Sequence, residues 1–517
     1  MTRTRTAALV AIAVAAATAL AGCTGNAGGT AGGSTGGNSG GGQEITELKA
    51  GVFLDVTSWD PAIADIGFDG PYMSAVYDPL VALDNSGKPV PALATKWEWS
   101  ADRLTLTADL RTGVTFEDGQ KFDAAAAVAN IDHLKKGVRS GQAYLNVSGA
   151  TAKDEDTIEI KLTKRDDSLL YFMGLGRSWM ASPAAIAAGS LANGPVGSGP
   201  YTFDKANSAP QSQYVFTKKA DHWDTATYPF PSVKLFPITD QTASFNAMLS
   251  GQLNMQFANA ANLAKAKENG WNVASKPSSW VGVQFADRTG AQVKALGEQK
   301  VRQAISYAFD SAGILQAVGN GSGTATNQLW PVDGGVYDKS MDTKYKTDMA
   351  KAKSLLAEAG YADGFSVKMP MSPIFQAWQP AANQTFGELG IKVEWVDMAM
   401  PDYQKNAPTY PMFLAVIAMS GNDMATLSDQ VTTAQWYNPN PSVDKFPEVK
   451  ALVDEVEKAD EGAAQTELLK KLNTKLVDLA WWSVWYQADN TYFSVKGIKV
   501  QPVTGMMFPT LRFIQRG

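Results

Sequence analysis

An α/β fold of two or three domains is what this 517-residue sequence predicts. Three observations carry that expectation. From about residue 45 onward the chain is too long for one simple core. Residues 365–369 read as a short strand, and Ile391, Val393 and Trp395 alternate as a second; helical sequence separates them, which makes a βαβ unit. Residues 412–419 form a short, continuously apolar run, as expected of a central strand buried on both faces.

In chain order, Leu104, Leu106, Ala108 and Leu110 alternate with polar neighbours and mark a strand. Glu117-Asp118-Gly119 reads as a turn. Asp123 is placed to cap a helix that runs through residues 124–136, with Gly137 as its stop. Ile158, Ile160 and Leu162 alternate again. Val301, Ala304, Ile305 and Ala308 have the i, i+3, i+4, i+7 spacing of a helix with one buried face. Asp348 caps the next helix and Gly360 closes it. Pro447 starts a helix with Val449, Leu452, Val453 and Val456 on one side. Leu468, Leu472, Leu476 and Leu479 define the last long helix.

The N-terminus carries an export signature. Arg3 and Arg5 precede an uncharged apolar stretch over residues 7–21. That is shorter than the ~20 apolar residues of a membrane span, and it fits a secretory signal over residues 1–22. Leu20-Ala21-Gly22-Cys23 resembles the lipobox of bacterial lipoproteins, which implies cleavage before Cys23 and a lipid on its thiol. The chain has one cysteine, so no internal disulfide forms, and acylation gives the lone thiol a purpose. Residues 24–43 are almost entirely Gly, Ser, Thr, Ala and Asn, a composition that cannot bury apolar surface. A flexible tether of that length spans roughly 25 Å. Its two G-x-S-x-G matches, at Ser34 and Ser39, are accidents of composition, because a nucleophile elbow needs a strand before it and a helix after it.

Composition excludes several classes. The formal net charge is −6 and no basic cluster follows the signal, so nucleic acid is not an expected partner. No second long apolar stretch is present. The two histidines, His133 and His222, lie far apart in sequence, and neither H-E-x-x-H nor a P-loop occurs. His133 sits near the end of a helical pattern, where a cation is favoured. His222 reads as part of a surface turn, Asp221-His222-Trp223. No catalytic residue, metal ligand or cofactor is expected. Carboxylates are plentiful, and a surface-anchored glycan hydrolase stays as a minor alternative.

Several runs together resemble one family. They are Trp59-Asp60-Pro61-Ala62, Tyr77-Asp78-Pro79-Leu80-Val81, the Pro-Ala-Leu-Ala-x-x-Trp of 91–97, LRTGVTFEDG at 110–119, GSGPY at 197–201, VRQAISYAFD at 301–310 and the helix at 348–360. Their order and spacing are similar to the dipeptide, oligopeptide and nickel type of bacterial extracellular solute-binding protein, over about 59–499. Departures occur at Asp123-Ala124-Ala125-Ala126-Ala127 and at Lys219-Ala220-Asp221-His222-Trp223, and read as surface or packing changes. The resemblance implies a two-lobed clamp of the periplasmic-binding-protein kind with an additional α+β domain. The first lobe is expected in 45–80, 197–285 and 490–517, the extra domain in 81–196 and the second lobe in 286–489, after a tether at 23–44. It also implies a non-enzymatic, monomeric substrate-binding lipoprotein of an ABC importer. Such a protein sits on the outer face of the cytoplasmic membrane and passes a peptide, or alternatively an oligosaccharide, to permease subunits.

Candidate ligand contacts follow from both arguments. Met419-Ser420-Gly421-Asn422-Asp423 follows the buried strand, and ligands in α/β sheets collect at the carboxyl ends of strands. Asp423 is the candidate for a peptide's α-ammonium, with Gly421 beside it. Strand alternation over 481–486 sets Trp482, Val484 and Tyr486 on one face and Trp481 and Trp485 on the other. One face is core and the other is available to stack on a ligand, so Trp482 and Trp485 are both candidates, with Trp436 and Trp59. Between Gln303 and Leu511 there is no arginine. Dipeptide binders of the resembling family use a second-lobe arginine to fork the ligand carboxylate, a geometry that suits arginine. Its absence favours longer peptides held by their backbone, and leaves oligosaccharides open. Nickel does not fit so few histidines.

Overall fold

Several helices in this chain begin where a side chain satisfies one of their first amides. The computed structural model describes residues 44–517 except Ile66, so the signal, Cys23 and the tether lie outside the described residues. Asp123 accepts from Ala126 N at 2.8 Å and opens the helix Ala124–Lys135. Asp348 accepts from Lys351 N at 2.8 Å and opens Met349–Glu358, which Gly360 ends at φ 84°. Gly137 works differently from expectation. It has no positive φ; a Cβ there would lie 2.4 Å from Ala62 O, so glycine is needed for close approach.

The apolar stripes face inward as spaced. Gln299–Ala308 buries Val301, Ala304, Ile305 and Ala308. Pro447–Lys458 buries Val449, Val453 and Val456, and Ala463–Asp478 buries Leu469, Leu472 and Leu476. The βαβ expectation also holds: Ser366–Met371 and Lys392–Asp397 pair in parallel, with the helix Gln379–Glu388 between them in sequence.

A nine-stranded sheet runs through both lobes. Its spine is two long strands, Asn272–Phe285 and Trp482–Ser494, paired antiparallel along nearly their whole length. At one end, Met255–Ala258 joins Trp482–Ser494, and Glu47–Val52, Ser232–Pro237, Tyr214–Lys218 and Tyr201–Phe203 continue outward from it. This is the first-lobe sheet, packed around Leu48, Ala50, Val233, Leu235 and Tyr492. At the other end, Met412–Ala418 pairs with Ser279–Phe285 and is the edge strand of the sheet, not the central strand its apolar run predicts; the run is apolar because the core covers both of its faces. The ladder slips between Pro277 and Ser279. Pro277 has no amide to donate, so the pairing weakens at that point.

The end of the sheet that carries Met412–Ala418 is covered on both faces. Val281, Val283 and Leu414 pack against Val301, Ala304 and Ile305 on one side. Trp280, Ala415 and Ile417 pack against Val453, Leu472 and Leu476 on the other. The extra α+β domain is a four-stranded antiparallel sheet, in the order Ala94–Trp99, Thr105–Leu110, Thr157–Leu162, Val147–Ala152. The helix Ala124–Lys135 shares its core through Ala127, Ile131 and Leu134.

Strict alternation over 481–486 does not survive. Val281 pairs with Tyr486 but Gly282 pairs with Val484, so Trp485 is the extra residue of a β-bulge. The bulge turns Trp485 and Tyr486 toward the same cluster, with Phe309 and Phe413, while Trp482 and Val484 join the opposite one. Gly282 makes room for this: a Cβ there would sit 2.0 Å from Ser483 O.

Candidate functional site

The buried strand Met412–Ala418 delivers its carboxyl end to the seam between the lobes. Asn422 then caps a short helix, Asp423–Thr426, by accepting from Ala425 N at 2.9 Å. Across the seam stands Tyr171 of the extra domain. Gly421 N donates to Tyr171 Oη at 2.6 Å, and the same hydroxyl donates to Thr504 O at 3.3 Å. One buried phenol therefore ties the second lobe, the extra domain and the C-terminal loop together. The approach requires glycine on both sides: a Cβ on Gly421 would lie 2.9 Å from Thr504 O, and one on Gly505 2.6 Å from Tyr171 Oη. Gly505 also sits at φ 94°.

Two carboxylates line the second-lobe side. Among the described residues the Asp423 carboxylate makes no hydrogen bond; Gly334 and Gly335 leave space beside it, and Trp330 Nε1 donates to its backbone oxygen at 3.3 Å. Burial alone pushes Asp423 up to about 6. Asp429, one turn and a half further on, is pushed up to about 6 by burial, against the opposing pull of Arg177 and the Ser420 hydroxyl, 3.5 Å away. The phenol of Tyr437 is driven well above its usual range by burial and then by Asp429, with Arg177 acting the other way.

Arg177 belongs to the opposite wall. It closes the turn Met173–Arg177, where Gly176 at φ 102° breaks the helical path just before it. Tyr144 Oη donates to Arg177 O at 2.7 Å, and the guanidinium stands 4.8 Å over the Phe172 ring. A small solvent-open crevice lies between residues 164–168 and the segment from Met424 to Thr433. Arg165 bridges it, donating to Ala459 O at 2.9 Å while Asp167 accepts from its Nε.

The remaining candidates separate. Trp436 is half-buried, edge-on to Tyr437 at 5.5 Å and to Tyr403 at 6.5 Å, and packs against the core clusters of its own lobe. Trp482 is 6% exposed and its indole nitrogen has no hydrogen-bond partner. Trp485 is 1% exposed and packs on Phe309 with ring centres 4.4 Å apart. Trp59 sits in a first-lobe aromatic cluster with Tyr72, Phe203, Tyr214 and Phe216. His222 is not on a surface turn. It is buried against Asp78 at 3.0 Å, and Ser198 Oγ and Trp223 Nε1 donate to the same carboxylate. Asp429 and Arg177 carry no motif of their own; the only local cue for Arg177 is the pair of glycines in Met173-Gly174-Leu175-Gly176-Arg177.

Comparison with known proteins agrees with this architecture. The family described as bacterial extracellular solute-binding proteins, family 5 middle, matches residues 88–439. Heme-binding protein A of Haemophilus influenzae is 29% identical over 395 residues, 67% of this chain and 69% of that protein. Glutathione-binding protein GsiB of Escherichia coli K12 is 28% identical over 351 residues, 65% of this chain and 67% of that protein. The structure of a dipeptide binding protein from Pseudoalteromonas sp. SM9913, in complex with Met-Leu, superposes with a TM-score of 0.74 at 18% identity. That superposition covers 91% of this chain and all of that one (100%).

The raised carboxyl of Asp423 has a consequence for stability. Its folded value, about 6, lies above the ordinary 3.8, so the fold holds a proton that the unfolded chain has already lost. Its contribution to stability therefore falls as pH rises through that interval. Asp423→Asn removes the penalty. The ligand-free variant should melt above the wild type at pH 7, with the difference vanishing near pH 4. A variant melting below the wild type at pH 7 would mean that the carboxylate is paired in the fold.

Proposed function

This chain belongs to family 5 of the bacterial extracellular solute-binding proteins, and we propose that it is the lipid-anchored substrate-binding component of an ABC importer. It captures an oligopeptide between its lobes and hands it to permease subunits in the membrane. The carrying observation is Asp423: a largely buried carboxylate without a hydrogen-bond partner, at the carboxyl end of a buried strand, beside a seam that two crossing strands allow to open. An α-ammonium is the cation that such a group suits, through a charge-assisted hydrogen bond. Trp436 and Tyr437 supply aromatic surface nearby. The names of two relatives support a small peptide as ligand, since one is a glutathione-binding protein and the other carries Met-Leu. The proposed domain limits are 45–80, 197–285 and 490–517 for the first lobe, 81–196 for the extra domain and 286–489 for the second lobe. Cys23 carries the lipid, and the tether that follows holds a monomeric body near the outer face of the cytoplasmic membrane.

Two experiments test this. Cys23→Ser should abolish lipid labelling and either release the body or leave the precursor uncut. A variant that still carries lipid and partitions with the membrane removes the anchor from the account. For the site, Asp423→Asn should weaken peptide binding by ~1.5–3 kcal/mol, the worth of a hydrogen bond to a charged group. N-acetylated peptide should bind the wild type poorly. Titration calorimetry decides both. If Asp423→Asn leaves peptide affinity untouched, while an oligosaccharide binds and loses affinity in Trp436→Ala, the sugar reading replaces the peptide one.

A further inference from the structure

The second lobe's two arginines are occupied elsewhere. Arg288 is fully buried and donates to the carbonyls of Phe285, Asn440 and Pro441. Arg302 donates to those of Leu296, Gly297, Leu479 and Ala480. Neither is available to a ligand. Arg177, on the facing wall, is engaged far less, although Arg288 Nε is likewise buried without a partner. Arg177 is 6% exposed, its Nε is buried with no partner, and its one side-chain hydrogen bond is a long one, 3.5 Å to Gln142 Oε1. Among the described residues it forms no ion pair with any carboxylate. The segment that carries it meets the second lobe directly, since Tyr171 Oη accepts from Gly421 N at 2.6 Å, and its charge acts on Asp429 and Tyr437 of that lobe.

A buried cation without a partner costs several kcal/mol, and arginines are retained in such places when something pairs with them. Asp429 attracts Arg177 across the seam without touching it. The planar fork of five donors suits a carboxylate better than any other common group. Phe172 under the guanidinium and the Tyr144 bond to the Arg177 carbonyl hold the fork in place.

We propose that Arg177, supplied by the extra domain, is the specificity-determining receptor for a carboxylate of the captured ligand. This rests on interlobe capture as proposed above. Asp423 and Arg177 then approach the ligand from opposite walls. A ligand bearing both an ammonium and a carboxylate satisfies both walls only when the lobes are closed, and so stabilises the closed form. The carboxylate has two sources, the C-terminus of a short peptide or an acidic side chain within it.

The test offers ligand-free full-length protein three mixed tripeptide libraries: free acids without acidic side chains, their C-terminal amides, and amides containing one glutamate. Retained peptides are counted by native mass spectrometry. Wild type should retain a carboxylate-bearing library over the plain amides by about tenfold or more, as loss of a charge-assisted bond requires. Preference for the free acids identifies the C-terminus, and preference for the glutamate amides identifies a side chain. Arg177→Gln should erase the preference while still retaining peptides, and Arg177→Lys should keep only part of it. If Arg177→Gln does not fold, the lysine variant carries the comparison alone, a reduced preference supporting the proposal and an unchanged one overturning it. Equal retention of all three libraries by the wild type, or a preference that survives in Arg177→Gln, overturns the role of Arg177 and leaves capture intact. If the wild type retains neither the tripeptides nor a library of longer peptides offered in the same way, the capture reading itself is overturned.

Discussion

The hydrogen-bond ladder between Asn272–Phe285 and Trp482–Ser494 is the constraint on which the rest of this structure depends. Each lobe's sheet grows outward from one end of it, through Met255–Ala258 in the first and Met412–Ala418 in the second. Neither lobe is therefore free to drift, and neither is locked. The slip at Pro277 removes one donor and one register step where a few backbone torsions suffice to swing the lobes. Side chains next to the slip are polar: Ser278 Oγ donates to Asn490 Oδ1 at 3.0 Å, and Lys276 pairs with Asp333. Polar contacts can be exchanged with water during such a swing at little net cost.

Closure brings two glycines, Gly421 and Gly505, against Tyr171 and leaves unpaired charges on either side of that contact. The contrast among buried arginines shows why those charges matter. Burial pulls Arg288 down to about 9 and Arg302 to about 10, yet both stay protonated at neutral pH because backbone carbonyls surround them. Each donates to several backbone carbonyls without a ligand, although Arg288 Nε has no partner. Arg177, Asp423 and Asp429 have fewer partners, and incompletely paired polar groups between lobes suit a binding protein.

Much of the fold was legible in local pattern. Caps at Asp123 and Asp348, the stripe over Val301–Ala308 and the apolar run at 412–419 act within one element, so residue spacing reports them directly. The alternation over 481–486 misled because the bulge at Trp485 is set by its partner strand at Gly282, far away in sequence. His222 misled for a similar reason: Asp78, which buries it, lies in another segment. Asp423 and Gly421 stood out because a strand end is a local feature. Arg177 and Asp429 did not, since only the meeting of the extra domain with the second lobe gives either one its meaning. Tryptophan abundance was the weakest guide: Trp485 and Trp59 fill cores, and Trp436 packs on Tyr403 and Tyr437.

The central claim is that two lobes on a shared spine close over a ligand. Small-angle scattering of the ligand-free protein, and of the same protein saturated with the tripeptides it retains, measures this most directly. The account predicts a smaller radius of gyration and a shorter maximum dimension in the saturated protein. An unchanged profile at saturation would contradict it.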